Sequence, residues 1–420
     1  MSQFIIQGGN KISGEISVAG AKNNALKAIP ATLLTDEVCI IRNVPQVGGL
    51  DDILKLMENV GSKIERVDDH TYQIDNSNVN KTDLSDNLVK KERSSLMLIA
   101  PLLARFNKVN IVHPGGCVLG KRPIDLFLDL FESFGAEVSS ASENCYSFIA
   151  KKGLRATTYT FPIMSHTGTE SAILIASLTL GTSKIINAAC EPEVVALADM
   201  LNAMGAKISG AGTPFITIEG VEKLHGIDWT IIPDRLEAGT FLIMAAALQS
   251  ELVVKNCEPK HLDVPLKILK KIGIPLEIGE DFIHVQPAKN LQATDITTHE
   301  YPGFPTDLQA PMTVLLTQAQ GVSLIHETIF ERRMFYIDSL NKMGAHIILC
   351  DPHRAVVNGP KQLYGTSLIS PDIRAGMALL IAALMASGTT KIDNIEQIER
   401  GYENIVERLT ALGVKIQRID

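Results

Sequence analysis

Hydrophobic and polar positions along this chain repeat one pattern. An apolar strand is followed by an amphipathic helix, and a pair of strands completes the unit. Residues 39–41 form such a strand, residues 52–57 the helix, and residues 61–64 the start of the strand pair. The same succession recurs five more times, so the chain is predicted to contain six similar units.

A glycine follows the last apolar residue of each amphipathic helix. Glycine suits the left-handed conformation that commonly ends a helix. Neighbouring glycines of this series are 68 to 74 residues apart. A period sustained over the whole chain indicates a repeat architecture. The six positions are Gly61, Gly135, Gly205, Gly273, Gly344 and Gly413.

Each unit also contains a second helix that is apolar nearly all round. Residues 95–100 and 375–380 are examples. A helix without a polar face belongs inside a domain. The pattern therefore predicts an α/β fold with two similar lobes of three units each. The six buried helices are predicted to begin near Ala21, Arg93, Thr169, Gly239, Asp307 and Ile373.

The N-terminal segment is predicted to belong to the second lobe. The first buried helix precedes the first complete strand–helix–strand unit, so one lobe has to borrow residues from the start of the chain. Lobe I is predicted to contain residues 21–231, and lobe II residues 1–20 together with 232–420. A chain of 420 residues also exceeds the usual size of a single core.

Charge and cysteine content narrow the class of protein. A net charge of −8 argues against a nucleic-acid partner, which would need a basic face. A small anionic ligand stays possible, because a few arginines can focus positive potential in one cleft. The six cysteines have no C-x-x-C spacing, which favours free thiols in a reducing cytoplasm over disulfides or a metal site.

The sequence predicts neither a targeting segment nor a membrane span. Residues 1–7 lack the basic and long apolar regions of a signal peptide. The most apolar stretch, residues 375–386, is too short to span a bilayer and indicates a buried helix. We predict a cytoplasmic protein without a membrane partner.

Polar residues open the apolar helices. The N–H groups and partial positive charge at helix starts suit phosphate. Lys22, Arg93 and Arg374 lie at such starts, where a cation opposes the helix dipole, so we interpret them as ligands of an anion. Ordinary N-capping is the alternative for polar residues there. That alternative stays open for Ser94, Thr306 and Asp372.

A cysteine lies in a glycine-rich segment, Pro-Gly-Gly-Cys-Val-Leu-Gly-Lys-Arg-Pro at residues 114–123. Three nearby glycines indicate a loop, and Lys121 and Arg122 favour the thiolate of Cys117. The alternative is a buried cysteine without a chemical role. The loop favours a reactive residue.

Taken together, these motifs resemble the UDP-N-acetylglucosamine 1-carboxyvinyltransferase family of enolpyruvyl transferases. The resemblance runs nearly end to end. It implies a two-lobed, inside-out α/β barrel built from six βαβαββ repeats, three per lobe. The most specific segments are residues 114–123, 233–240, 304–309, 372–375 and 400–403.

The resemblance also implies a reaction. This family transfers the enolpyruvyl group of phosphoenolpyruvate to the 3′-hydroxyl of UDP-N-acetylglucosamine and releases phosphate by addition and elimination, in the first committed step of peptidoglycan synthesis. Such chemistry needs an acid, a base and cations for the phosphate and carboxylate. No cofactor and no metal are implied. The expected partners are these two small molecules, and the expected state is a monomer or weak oligomer.

Individual roles follow from the resemblance. Cys117 is expected to protonate or covalently capture phosphoenolpyruvate, and Asp307 to take the proton of the sugar hydroxyl. Lys22, Arg122 and Arg400 are expected to bind the phosphate and carboxylate. Asp372 is expected to orient these cations, with N-capping as the alternative. Further substrate contacts are implied for Asn23, Arg93, Ser165, Thr167, Ile329, Arg333, Asp372 and Arg374.

One segment departs from the family. The usual Ser-Val-Gly-Ala-Thr at the nucleotide phosphates reads Ser-His-Thr-Gly-Thr at residues 165–169, and a common lysine before it is Ile163. Backbone binding of the diphosphate is still expected, although a positive charge is missing. His166 could supply that charge or simply face solvent. Arg332, where the family often has asparagine, is a further candidate.

Three other functions compete with this one. A specialised or non-catalytic relative that only binds the nucleotide sugar would fit the departure at residues 163–169. The sister enzyme, 5-enolpyruvylshikimate-3-phosphate synthase, lacks the Gly-Gly-Cys loop and has Lys-Ser in place of Lys22-Asn23. A DNA clamp of six units would need lysines along its inner face and would not need Cys117.

Overall fold

A computed structural model describes residues 2–84, 88–89, 93–112, 124–142 and 145–420. These residues contain 24 strands and 13 α-helices. The strands are β1 (Gln3–Gln7), β2 (Glu15–Ser17), β3 (Cys39–Arg42), β4 (Lys63–Asp68), β5 (Thr71–Asp75), β6 (Asp83–Leu84), β7 (Lys108–Val112), β8 (Glu137–Ser142), β9 (Cys145–Ile149), β10 (Thr158–Thr160), β11 (Gly181–Ile186), β12 (Lys207–Ser209), β13 (Phe215–Gly220), β14 (Asp228–Thr230), β15 (Leu252–Lys255), β16 (Leu276–Ile278), β17 (Phe282–Val285), β18 (Ile296–Thr297), β19 (Gly321–His326), β20 (Ile347–Asp351), β21 (Arg354–Gly359), β22 (Ser367–Ile369), β23 (Thr389–Asp393) and β24 (Lys415–Ile419).

The helices alternate with these strands. Short 3-10 turns at Thr32–Leu34, Arg93–Leu98, Pro259–Leu262 and Thr306–Leu308 accompany them. The α-helices are α1 (Lys22–Ala31), α2 (Leu50–Val60), α3 (Ile99–Phe106), α4 (Asp125–Ser133), α5 (His166–Ser177), α6 (Pro192–Ala203), α7 (Arg235–Ala247), α8 (Asp263–Ile272), α9 (Gln309–Leu316), α10 (Ile337–Lys342), α11 (Ile373–Met385), α12 (Glu396–Glu399) and α13 (Ile405–Ala411).

The strands form six four-stranded sheets with one topology. In the sheet β10-β11-β13-β12, the first pair is parallel and the other two pairs are antiparallel. The parallel pair requires a crossover, which α5 supplies. The chain order is thus β10-α5-β11-α6-β12-β13, and the predicted βαβαββ repeat is confirmed. The other sheets are β14-β3-β5-β4, β6-β7-β9-β8, β2-β15-β17-β16, β18-β19-β21-β20 and β22-β23-β1-β24.

Two compact units divide these sheets equally. We call the described residues between 20 and 232 lobe I, and residues 2–19 with 233–420 lobe II. The predicted lobe I, residues 21–231, differs from this unit by one residue at each end. Strands β1 and β2 complete two sheets of lobe II. The N-terminal segment therefore pairs with strands that lie more than 200 residues later in the chain.

Each lobe encloses three largely buried helices. In lobe I these are α1, α3 and α5, and α3 packs against α5. In lobe II they are α7, α9 and α11, and α9 packs against both of the others. Every residue of α7 is buried. The outer helices α2, α4 and α8 are amphipathic instead, and α2 buries only the face that carries its aliphatic side chains. The layered arrangement follows from the two hydrophobic patterns.

Two inner helices begin later than predicted. The α-helical parts α3 and α9 follow the 3-10 turns Arg93–Leu98 and Thr306–Leu308. The third residue of each is a proline, Pro101 or Pro311. A proline ring clashes with the carbonyl four residues earlier, so α-helical geometry cannot extend back over these turns.

Two other inner helices begin earlier than predicted. Helix α5 starts at His166 because the hydroxyl of Ser165 accepts a hydrogen bond from the Gly168 amide. Helix α7 starts at Arg235 because the carboxylate of Asp234 caps its first turn. These caps fix the positions of polar residues that the apolar pattern alone does not locate.

The six periodic glycines all adopt the left-handed conformation. Their φ angles lie between +92° and +116°. Each follows an outer helix, in agreement with the predicted C-capping. A side chain at such an angle clashes with its own backbone, which explains the choice of glycine.

Cysteine and membrane predictions can be checked within the described residues. None of their helices combines the length and apolar character needed to cross a bilayer. The five cysteines among them carry free thiols. Burial raises the pKa of the Cys39 and Cys257 thiols to about 11. These two thiols are therefore poorly nucleophilic at neutral pH.

Two of the glycine caps give a stability test. Gly413→Ala meets no atom within 4 Å and should cost about 1 kcal/mol through backbone strain alone. Gly273→Ala should cost more, because the added carbon would lie 2.8 Å from the Asn290 carbonyl oxygen. Urea denaturation of both variants measures the difference. Equal losses would contradict the role given to the Asn290 contact.

Candidate functional site

Lobe II holds one carboxylate between two guanidinium groups. Asp307 Oδ1 lies 2.5 Å from Arg333 Nη2, and Asp307 Oδ2 lies 3.0 Å from Arg374 Nε. Asp307 comes from the turn before α9, Arg333 from the segment after β19, and Arg374 from the first turn of α11. Only 4% of the Arg333 side chain and 12% of Arg374 are exposed. The structure thus brings together three predicted site residues from three segments.

The arginines determine the protonation of Asp307. Burial by itself would raise the pKa of its carboxyl, but the charges of Arg374 and Arg333 outweigh burial and hold the pKa well below its usual range. Asp307 is therefore ionised in this arrangement. It is also a weak base while both arginines remain paired with it.

Aromatic side chains fix the two guanidinium groups. Arg374 Nη1 donates to Tyr402 Oη at 3.2 Å, and its guanidinium lies 5.7 Å from the centre of the same ring. The Tyr402 and Thr240 hydroxyls are in turn 3.0 Å apart. The Arg333 guanidinium lies 5.5 Å from the centre of the Phe330 ring. These contacts orient the cations before any ligand binds.

A third arginine contributes to the cluster and was not predicted as a site residue. Arg235 begins α7, is 7% exposed, and places its guanidinium 5.4 Å from the centre of the Tyr301 ring. Its charge also lowers the pKa of Asp307. Arg235 could have been predicted as a site residue from the sequence, because it opens an inner helix as Lys22 and Arg374 do.

The capping alternatives have separate outcomes. Asp372 Oδ1 accepts hydrogen bonds from the amides of Arg374 and Ala375, so Asp372 caps α11. Thr306 does not cap its turn, because its hydroxyl donates to Glu327 Oε2. The buried hydroxyl of Ser94 has no hydrogen-bond partner within the described residues. Capping is therefore confirmed for Asp372 and wrong for Thr306.

Three other predicted residues lie in lobe II. The amide of Ile329 donates to Glu327 Oε1 at 2.9 Å. Arg332 is exposed, and Arg400 is half-buried just after α12.

In lobe I, the segment that departs from the family pattern, residues 165–169, lies at the start of α5. Ser165 Oγ accepts from the Gly168 amide at 3.1 Å, and Thr167 lies in the same first turn. A side chain at Gly168 would come within 2.8 Å of the Phe161 ring, so close packing requires glycine there. Ile163 is 72% exposed. The missing lysine therefore corresponds to an open surface position.

His166 turns toward the interior of lobe I. Its Nε2 lies 3.1 Å from Glu170 Oε1, while Lys27 Nζ lies 3.3 Å from Glu170 Oε2. Glu170 is fully buried, and both contacts are ion pairs without hydrogen-bond alignment. Burial alone would lower the pKa of His166, but the charge of Glu170 raises it on balance. The alternative of a solvent-facing histidine is wrong.

The remaining predicted residues of lobe I are only partly described. Lys22 and Asn23 are half-buried neighbours on the first turn of α1. Cys117 and Arg122 fall within residues 113–123, outside the described residues. The side chain of Arg93 is also outside the described part of the structure. Their implied roles stay predictions.

Comparison with known proteins identifies the family. A family model described as EPSP synthase (3-phosphoshikimate 1-carboxyvinyltransferase) matches residues 6–409. A UDP-N-acetylglucosamine 1-carboxyvinyltransferase from Desulfosudis oleivorans is 41% identical over 419 residues, with both chains fully covered. The enzyme of the same name from Bacteroides fragilis is 43% identical, again over both full chains. The chain belongs to the UDP-N-acetylglucosamine 1-carboxyvinyltransferase family. The predicted family is thereby confirmed.

Two solved structures have the same fold as the present chain. The enolpyruvyl transferase NikO from Streptomyces tendae is 24% identical, with a TM-score of 0.91 over 99% of this chain and 98% of that one. The EPSP synthase of Acinetobacter baumannii is 19% identical, with a TM-score of 0.77 over both full chains. The predicted two-lobed α/β architecture is therefore confirmed.

The pairing of Asp307 predicts a pH-dependent stability. Its folded-state pKa is depressed, so its stabilisation is complete well above the ordinary value of 3.8 and is lost as the pH falls below that value. Asp307→Asn should destabilise the protein by about 3 kcal/mol at pH 7, with a smaller gap at pH 3. Denaturant titrations measure both. The exposed Asp338→Asn is the control, and a gap independent of pH would contradict the ion pairing.

His166 predicts the opposite pH dependence. Its folded-state pKa is raised, so its pairing stabilises the protein below the ordinary value of 6.5 and is lost as the pH rises through the folded value. Glu170 and Glu191 favour the charged ring, while Lys27 opposes it. The stability gap between wild type and His166→Gln should narrow from pH 6 to pH 9 in thermal melts. His225→Gln, an exposed control in the same lobe, should show no such narrowing.

Proposed function

We propose that this protein transfers the enolpyruvyl group of phosphoenolpyruvate to the 3′-hydroxyl of UDP-N-acetylglucosamine and releases phosphate. The full-length relatives at 41 to 43% identity carry the name of this activity. The structural observation that supports the proposal most is Asp307 with the arginine cluster of lobe II. That cluster combines a carboxylate base with ligands for two anionic groups.

In the addition step, the sugar hydroxyl oxygen bonds to C2 of phosphoenolpyruvate. The methylene carbon of phosphoenolpyruvate gains a proton at the same time. We assign acceptance of the hydroxyl proton to Asp307 and delivery of the carbon-bound proton to Cys117. Elimination then removes a proton from the new methyl group, expels phosphate and restores the double bond. Atoms and charge balance without a redox or metal step.

The low basicity of Asp307 fits a substrate-triggered mechanism. In the free protein, Arg333 and Arg374 both stabilise the ionised carboxylate. A bound phosphate or carboxylate competes for these same guanidinium groups and weakens their hold on Asp307. The base thus becomes stronger when the anionic substrate is in place.

The predicted cationic residues are assigned to phosphoenolpyruvate. Lys22, Arg122 and Arg400 serve its phosphate and carboxylate, as the family resemblance implies, and Arg93, Arg333 and Arg374 add positive charge. A guanidinium group binds either anion with two parallel hydrogen bonds. Asp372 supports this set by capping α11 and so holding the Arg374 backbone.

The nucleotide sugar is assigned to the start of α5 and to two further residues. Backbone amides of α5, with Ser165 and Thr167, suit the diphosphate because they lie at a helix N-terminus. Following the family resemblance, Asn23 is assigned to the acetamido group of the sugar, and Ile329 is assigned to the same substrate. The exposed Ile163 provides no charge, so we expect weaker diphosphate binding than in relatives that have lysine there.

The competing functions receive less support. The solved EPSP synthase shares only 19% identity with this chain, which disfavours a shikimate substrate. The exposed Ile163 is compatible with a relative that only binds nucleotide sugars, whereas the preorganised Asp307 cluster favours a catalyst. From the names of the full-length relatives, we assign the protein to the first committed step of peptidoglycan synthesis, and thus to cell shape and division. We further propose that it acts in the cytoplasm as a monomer or weak oligomer.

Phosphate release from phosphoenolpyruvate tests the proposal. Release by the wild type should require UDP-N-acetylglucosamine, and Cys117→Ala should lower the rate at least about 100-fold. Cys350→Ala, which removes an exposed thiol, is the matched control and should retain full activity. Fosfomycin should alkylate Cys117 and leave the Cys117→Ala variant unlabelled.

Two outcomes would count against these assignments. A wild-type protein without phosphate release above background would overturn the enzyme function. An active Cys117→Ala variant would overturn the acid role of Cys117 while leaving the transferase function intact.

A further inference from the structure

The residue directly after the second strand of a sheet is described in five of the six sheets, all but the one that contains β7. In four repeats it is an asparagine with a φ angle between +54° and +59°. The amide nitrogen of each asparagine donates to the carbonyl of the residue just after the first, parallel strand. These pairs are Asn43 with Ile231, Asn187 with Phe161, Asn256 with Val18, and Asn394 with Ser370, at 2.7 to 2.9 Å.

The unit that carries Asp307 departs from this rule. After β19, the equivalent residue is Glu327, which is fully buried. Its Oε1 accepts from the Thr298 hydroxyl at 3.1 Å and from the amides of Ile329 and Phe330 at 2.9 and 3.2 Å. Its Oε2 accepts from the Thr306 hydroxyl at 2.9 Å. Four uncharged donors thus surround this carboxylate.

Three of these hydrogen bonds join two separate chain segments. Thr306 directly precedes Asp307 in the turn that opens α9. Ile329 and Phe330 belong to the segment after β19, and Arg333 follows a few residues later. The Phe330 ring in turn supports the Arg333 guanidinium. One side chain therefore links both partners of the Asp307–Arg333 ion pair.

We infer that Glu327 is a positioning residue for the proposed reaction, because it fastens the Thr306–Asp307 turn to the segment that carries Ile329 and Arg333. In this way it sets the distance between the proposed base and its guanidinium partner. The inference rests on the proposed function, since it assigns Asp307 and Arg333 to the reaction.

A purely structural role explains less of the geometry. A single amide hydrogen bond closes the same strand pair in four other repeats, so the fold does not require a carboxylate there. Burying a carboxylate is also costly unless its oxygens are fully hydrogen-bonded. The two side-chain oxygens of Glu327 together accept from all four donors. The additional bond to Thr306 reaches the turn that bears Asp307.

The test separates the link to Thr306 from the rest of the network. Thr306→Val removes the donor to Oε2 with little change in shape, and Thr306→Ser retains it. Thr306→Val should lower kcat about 10- to 100-fold with a small change in KM, and Thr306→Ser should restore most of kcat. Glu327→Ala should lower kcat further and raise KM for the sugar nucleotide through Ile329.

The pH profile gives a readout that a structural role would not move. Looser pairing of Asp307 with Arg333 makes the carboxylate more basic, so the acidic limb of the kcat profile should move to higher pH in Thr306→Val. Asn256→Ala, which removes the ordinary clamp in another repeat of lobe II, is the control. It should lower Tm by about 2 °C and leave kcat and the acidic limb unchanged.

The outcomes are distinguishable. Wild-type kcat and an unmoved acidic limb in Thr306→Val would overturn the positioning role while the transferase function stands. A loss of activity that only follows the folded fraction measured by circular dichroism would overturn it as well. A wild-type protein without phosphate release would overturn the proposed function, and the positioning role with it.

Discussion

The ion pairing of Asp307 with Arg333 and Arg374 is the interaction on which the lobe II site depends. Charges removed from water destabilise a protein unless partners and hydrogen bonds compensate for the lost hydration. Each member of this cluster therefore needs the others. The supporting contacts of Tyr402 and Phe330 follow from that requirement, because a misplaced guanidinium would leave a buried charge without its partner. The cluster is consequently an electrostatic constraint on lobe II as well as the proposed reactive centre.

The repeat explains how such a cluster can exist in a stable lobe. The apolar interiors of α7, α9 and α11 are similar and pack together, so the polar residues at their starts are free to differ. Arg235, Asp307 and Arg374 occupy those starts in successive units. Lobe I follows the same rule with Lys22 and His166, whose ring pairs with Glu170. The repeated interior thus stabilises each lobe, and the residues proposed to act on substrate lie where the repeats differ.

Much of the fold could be predicted because its signals are local. The glycines report a backbone conformation, and the two helix types report burial through their periodicity. The late starts of α3 and α9 were also accessible, since Pro101 and Pro311 are visible in the sequence. Contacts between distant segments were not accessible. Lys27 and Glu170 lie on different helices, and the role of Glu327 emerges only when the sheets of successive repeats are aligned. The family motifs located Asp307 without indicating how strongly its arginines suppress its basicity.

The protonation of Asp307, with and without anionic substrate, tests the account most directly. Carbon-13 NMR of labelled aspartate carboxyls can follow this residue, with Asp307→Asn providing the assignment. The account predicts that Asp307 stays ionised well below its ordinary pKa of 3.8 in the free protein, and that its pKa rises when phosphoenolpyruvate binds. A carboxyl that titrates at or above 3.8 in the free protein, or that does not respond to phosphoenolpyruvate, would contradict the central role of this ion pair.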